Sequence, residues 1–185
     1  MRQRRNSTII SIVPARSNAR RYNRGMDHPD DARLSPGRRP PALSGLRQIL
    51  PAVIPAALVG VGYLAFLGYR HDYLGHYAAG YGATLAALAV ATKEIPDQRF
   101  LQQAPGRILW LTLACILAGA FAEATAFNIA KFDEVDFCNQ SVGAALAGLG
   151  FLASIGAIKA DPGFFRAAFY AGIVALHAGF YFAMF

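Results

Sequence analysis

Cysteine is scarce in this chain. Cys115 lies deep in an apolar run and Cys138 at the edge of another. A disulfide framework needs more cysteines in a shorter secreted chain, so both read as small buried residues. Charge is scarce too: 16% of residues are Asp, Glu, Lys or Arg, against 55% hydrophobic, with mean hydropathy +0.31. That is well below the charge of a typical soluble domain. No HExxH, CxxC or dense histidine cluster occurs, so no metal site is expected. No phosphate loop, glycine-rich nucleotide motif or nucleophile–base pair occurs either. Acid is absent from the first 26 residues.

The charge that exists is segregated. Residues 1–50 hold 11 of the 18 Lys+Arg and three of the 11 Asp+Glu, which leaves +8 there and −1 in the remainder. Residues 1–46 are rich in Arg, Pro, Ser and Asn and lack apolar periodicity, so they cannot offset chain entropy by burial. A disordered basic arm is expected. Three readings of it stand: a plain tail, with Met26 as the alternative true start; contact with anionic lipid, at roughly 1 kcal/mol per basic residue near the surface; or a targeting segment. No nucleic-acid reading motif accompanies the charge, so no nucleic-acid partner is expected.

From residue 47 the pattern changes. Five apolar stretches approach the roughly 20 residues needed to cross a bilayer: Ile49–Tyr69, His76–Thr92, Ile108–Asn128, Phe137–Ile158 and Phe164–Phe185. They are too long and continuous for barrel strands. The expected fold is all-α, a multi-pass transmembrane bundle of about five helices, with the lipid bilayer as its partner. With the arm in the cytoplasm, basic residues in and beside the links fall five to two on the cytoplasmic side: Lys93, Arg99, Arg107, Lys159 and Arg166 against Arg70 and Lys131. That bias predicts a cytoplasmic N-terminus and an extracytoplasmic C-terminus. Small residues recur at helical spacing, with Ala79, Gly80, Ala83 and Ala87 in span two and Gly143, Ala147 and Gly150 in span four. Gly80, Gly143, Ala147 and Gly150 are expected to mark close helix packing.

Polar residues gather at one set of helix ends. Asp72 and His76 are i and i+4 at the outer end of span two. Glu123 lies about 24 Å along span three at 1.5 Å per residue. A carboxylate there costs insertion energy and calls for a partner, with His76, Lys131 or Asn128 as candidates. Asp133, Asp136, Gln140 and Gly143 form one helical stripe, with Asn139 beside it. The predicted polar pocket is therefore Asp72, His76, Glu123, Asp133, Asp136, Asn139 and Gln140 at the outer surface. The alternative is a hydrogen-bond network that only locks three helices together. Pairing His76 with His177 around a haem has little support, and no cofactor is expected.

The order of "DYLGH", Glu123 and "FDEVDFCNQSVG" resembles the VanZ-like family of small bacterial membrane proteins. That family carries Asp-Lys-x-x-His entering one helix, a Glu near the end of the next, and an Arg, Phe/Ser-Asp and Asp…Asn-x-x-Gly stretch entering the one after. The resemblance covers about residues 50–158, with residues 159–185 as an additional helix. Tyr73 stands where the family has Lys, Lys131 is the nearest cation to the family Arg, Gln140 takes the place of its Asn, and the Gln that follows its Glu is absent. The resemblance implies an inner-membrane protein with an outward site near envelope lipids or cell-wall precursors. Two other functions remain open from the sequence. One is a structural subunit or assembly factor with a membrane-protein partner. The other is a lipid or headgroup hydrolase using His76 with a carboxylate.

Overall fold

The computed structural model describes residues 41–68, 70–95, 99–125, 133–158 and 163–184. The expected basic arm falls almost wholly outside them, as do Asn128 and Lys131. The described residues are all-helical. In chain order the helices are α1 (Pro41–Leu67), α2 (His71–Lys93), α3 (Phe100–Thr125), α4 (Glu134–Ala153), a single-turn α5 (Ile155–Ile158) and α6 (Gly163–Met184). Five long helices stand where five apolar stretches were expected.

Helix α1 begins earlier than the sequence suggests. Residues 41–46, expected in the arm, already belong to it, so Pro51 and Pro55 sit in the helix interior and not at its start. Each interior proline removes one main-chain donor and is tolerated where neighbouring groups attend to the backbone. Two tyrosines of α2 bond α1 carbonyls one residue after each proline, not the carbonyls four residues back that the prolines leave without a helical donor. Tyr81 donates to the Ala52 carbonyl at 3.2 Å and Tyr77 to that of Ala56 at 2.8 Å.

The helices alternate in direction. Gly150 packs on Ala52 and Tyr63 bonds Asn139, so α1 and α4 are antiparallel. Gly148 meets Thr112 and Gly119 meets Gln140, which makes α3 antiparallel to α4. Gly75 faces Gly179 and Ala183 while Gly82 faces Gly172 and Leu176, so α6 is antiparallel to α2. One end of the bundle therefore collects the C-termini of α1, α3 and α6 and the N-termini of α2 and α4.

Among the described residues, three helices are long and apolar enough to cross a membrane: Gly45–Leu67, Phe100–Thr125 and Gly163–Met184. Only 17% of each apolar window is buried inside the protein, so most of that apolar surface faces outward. Leu109, Leu113, Leu117 and Phe121 form one exposed row on α3 at four-residue spacing, as a lipid-facing stripe would. Helices α2 and α4 are less apolar for a physical reason. Helix α2 is the central helix, with Thr84 and Thr92 fully buried, and its surroundings are other helices. Its faces are chosen for closeness, not for solubility in lipid.

The four residues singled out for packing occupy helix contacts. A Cβ on Gly80 would strike the Gln140 carbonyl, and one on Gly143 would strike that of Tyr77. Gly150 lies against Ala52 of α1, and Ala147 is fully buried. The apolar core is concentrated toward the other end of the bundle, around Ile49, Leu85, Leu88, Ile108, Phe151 and Phe164. There Phe151 and Phe164 meet edge to face at 5.2 Å.

Candidate functional site

The end that gathers α2, α3 and α4 termini carries a groove of about 380 Å³. Its polar residues are His76 from α2, Glu123 from α3, and Asp136 and Gln140 from α4; Leu176, Phe180 and Met184 of α6 form an apolar wall. Small residues make the space. Ala79 and Ala83 line the floor, and Ala122 the α3 side.

Local structure explains each position. Helix α2 starts at His71, so His76 lies in its second turn. Helix α4 starts at an Asp133 cap whose carboxylate accepts from the Val135 and Asp136 amides at 2.9 and 3.2 Å. That cap fixes the first turn and turns Asp136 toward α2, where its Oδ2 lies 3.4 Å from His76 Nε2. Glu123, two residues from the end of α3, is 4% exposed. Its ionisable neighbours are His76, Asp136 and Asp133, and the Asp133 backbone also approaches its carboxylate. Glu123 Oε2 and Asp136 Oδ1 are buried and meet no hydrogen-bond donor among the described residues.

Three of the seven predicted pocket residues stand outside the groove. Asp72 turns to Arg70, whose guanidinium bonds both its oxygens at 3.2 and 3.0 Å. That hydrogen bonding holds the Asp72 carboxyl below the usual carboxylate range. Asp133 is spent as the α4 cap. Asn139 faces α1, where it accepts from Tyr63 at 2.6 Å. Of the partners expected for Glu123, His76 is a neighbour; Lys131 and Asn128 lie outside the described residues. Arg70 also lies over the Tyr73 ring, 3.9 Å from its centroid.

Sequence reasoning missed Tyr63 and the α6 wall. A tyrosine near the end of an apolar span reads as an interface residue. The one signal for α6 was its Gly172 and Gly179 at seven-residue spacing, matched by Gly75 and Gly82 in α2.

No group of three or more His, Cys, Asp or Glu side chains is arranged to hold a metal ion among the described residues. His177 bonds the Ile173 carbonyl of its own helix at 2.8 Å and does not line the groove with His76. What the groove offers chemically is two carboxylate acceptors, an imidazole and an amide that can also donate, beside an apolar wall.

Fold and groove together define a class: an all-helical membrane bundle with a polar site at one end. Compared with known proteins, the chain matches no family model, no curated protein and no solved structure.

Proposed function

We propose that this chain is a VanZ-like protein of the bacterial inner membrane, and that its groove faces outward and binds an envelope lipid or a cell-wall precursor. One observation carries the reading. His76, Glu123, Asp136 and Gln140, from three helices distant in sequence, meet in one groove whose fourth side is apolar. A cavity with a few convergent polar groups and apolar walls is the usual form of a small-molecule site. The excess of basic residues at the opposite helix ends supports an outward orientation for this end. The arrangement of small residues also favours a binding role over a partner-docking one. Gly75, Gly80, Gly82, Gly143 and Gly150 are consumed in contacts within the chain.

The test is native mass spectrometry of the full chain extracted from bacterial membranes in mild detergent. One retained lipid-sized molecule per chain is expected. Ala83→Trp, which fills the groove floor from an exposed position, should remove it without changing helix content. A chain that retains nothing, or a ligand that survives Ala83→Trp, would refute the reading and favour a structural subunit.

A further inference from the structure

The polar floor of the groove is one-sided in charge. Two carboxylates face one imidazole, and among the described residues no Lys or Arg lines the cavity. Glu123 is 96% buried, yet its Oε2 meets no donor. Asp136 spends Oδ2 on His76 and leaves Oδ1 buried without one. Ionised carboxylates only accept hydrogen bonds. A ligand that satisfies both must bring N–H or O–H donors and, by Coulomb's law, positive charge. Even with His76 protonated, the three groups sum to one negative charge, so a phosphate or carboxylate ligand would meet repulsion. A quaternary ammonium has the charge but no donors.

The volume sets the rest of the ligand. About 380 Å³ far exceeds one water's share of roughly 30 Å³, so an ammonium alone would leave most of the groove empty. The remainder is walled by Leu176, Phe180 and Met184, and Phe180 and Met184 stay exposed. Helices α3 and α6 border the groove on its two sides with little direct packing between them among the described residues. Resting on the binding role argued above, we propose that the groove takes a primary ammonium carried on an apolar chain, with the nitrogen between Glu123 and Asp136 and the chain along α6.

Dodecylamine, butylamine and dodecanoate separate the parts of this proposal. Each is titrated calorimetrically into the full chain in dodecylmaltoside at pH 7, with empty micelles as the blank. Dodecylamine is expected to saturate at one per chain, butylamine to bind at least tenfold more weakly, and dodecanoate not to saturate. Glu123→Gln should weaken dodecylamine at least tenfold, with Asp136→Asn as the second variant if the first loses helix content. Phe180→Ala should weaken dodecylamine and leave butylamine unchanged. Unchanged dodecylamine binding in folded Glu123→Gln and Asp136→Asn overturns the proposal. Butylamine binding as tightly as dodecylamine also overturns it and assigns a soluble amine. Saturable dodecanoate binding that Ala83→Trp abolishes overturns the ammonium alone and leaves the amphiphile site standing. No saturable binding by any probe overturns both.

Discussion

Glu123 is the one buried carboxylate among the described residues. A carboxylate in an apolar helix costs about 2.5–3.5 kcal/mol at the bilayer centre and less toward the edge, and a buried oxygen without a donor adds its own penalty. If the residue served only to lock helices, neutralising it would lower stability. A binding residue behaves oppositely, because its cost is offset only when the ligand is present. Glu123→Gln is therefore expected to raise the ligand-free melting temperature, by the equivalent of about 1 kcal/mol, as read by thermal melting in detergent. Tyr63→Phe removes the donor to Asn139 and should cost about 0.5–1.5 kcal/mol in the same assay. Asp72 is predicted to matter less. Its bridge to Arg70 is about 40% exposed on both sides, so Asp72→Asn should cost under about 1 kcal/mol at neutral pH. Because the folded carboxyl titrates below its ordinary value, that contribution is present above the unfolded value and fades as pH falls through the folded one. The cost of Asp72→Asn should vanish in acid melts. At this scale the sequence revealed His76, Glu123, Asp136 and Gln140 through spacing at helix ends. It could not reveal that Asp72 turns back to Arg70, because i+4 spacing states only a shared face and not which neighbour wins.

At the scale of elements, glycine decides how close helices come. Gly82 faces Gly172 and Gly75 faces Gly179 along α2 and α6, and any Cβ there meets backbone that cannot move aside. Gly82→Val and Gly143→Val are each expected to cost about 3 kcal/mol or more, since overpacking alone costs roughly 1–3 kcal/mol before helix separation is counted. Gly62 and Gly106 have open space where a Cβ would go, so Gly106→Ala should stabilise α3 by about 0.5–1 kcal/mol. Melting temperatures of the three variants, compared side by side, check the contrast. All five long helices were legible as apolar stretches. The start of α1 was not, because a helix tolerates proline best in its first turn, so Pro51 and Pro55 read as its beginning. Nor was the place of α6 legible. Packing joins it to α2 as closely as α4 is joined, although the sequence resemblance ends before it.

For the molecule as a whole, the alternation of helix directions places every groove residue at one end and the large apolar core toward the other. The direction of that end relative to a membrane is a prediction of charge bias. Glu134, exposed in the first turn of α4, reports on it. Neither cysteine is buried as expected, Cys115 being half-buried and Cys138 exposed, so in a chain with both replaced by serine, Glu134→Cys should react with a membrane-impermeant maleimide added to intact cells. Protection until the cells are lysed would reverse the orientation. Convergence of the polar groups was only partly legible, since helix ends can share a membrane face without sharing a groove.

The lack of a substantial α3–α6 interface has a consequence for traffic. On the proposed reading, a molecule dissolved among lipid tails would enter the groove along the apolar side of α6 without first entering water. Its polar head then meets the carboxylates last, at the end of a path it has entered tail-side. Nothing in the Phe151–Phe164 core must loosen for this, because that packing lies toward the far end of the same helices. In that arrangement the bilayer is the corridor to the site as well as the solvent around it.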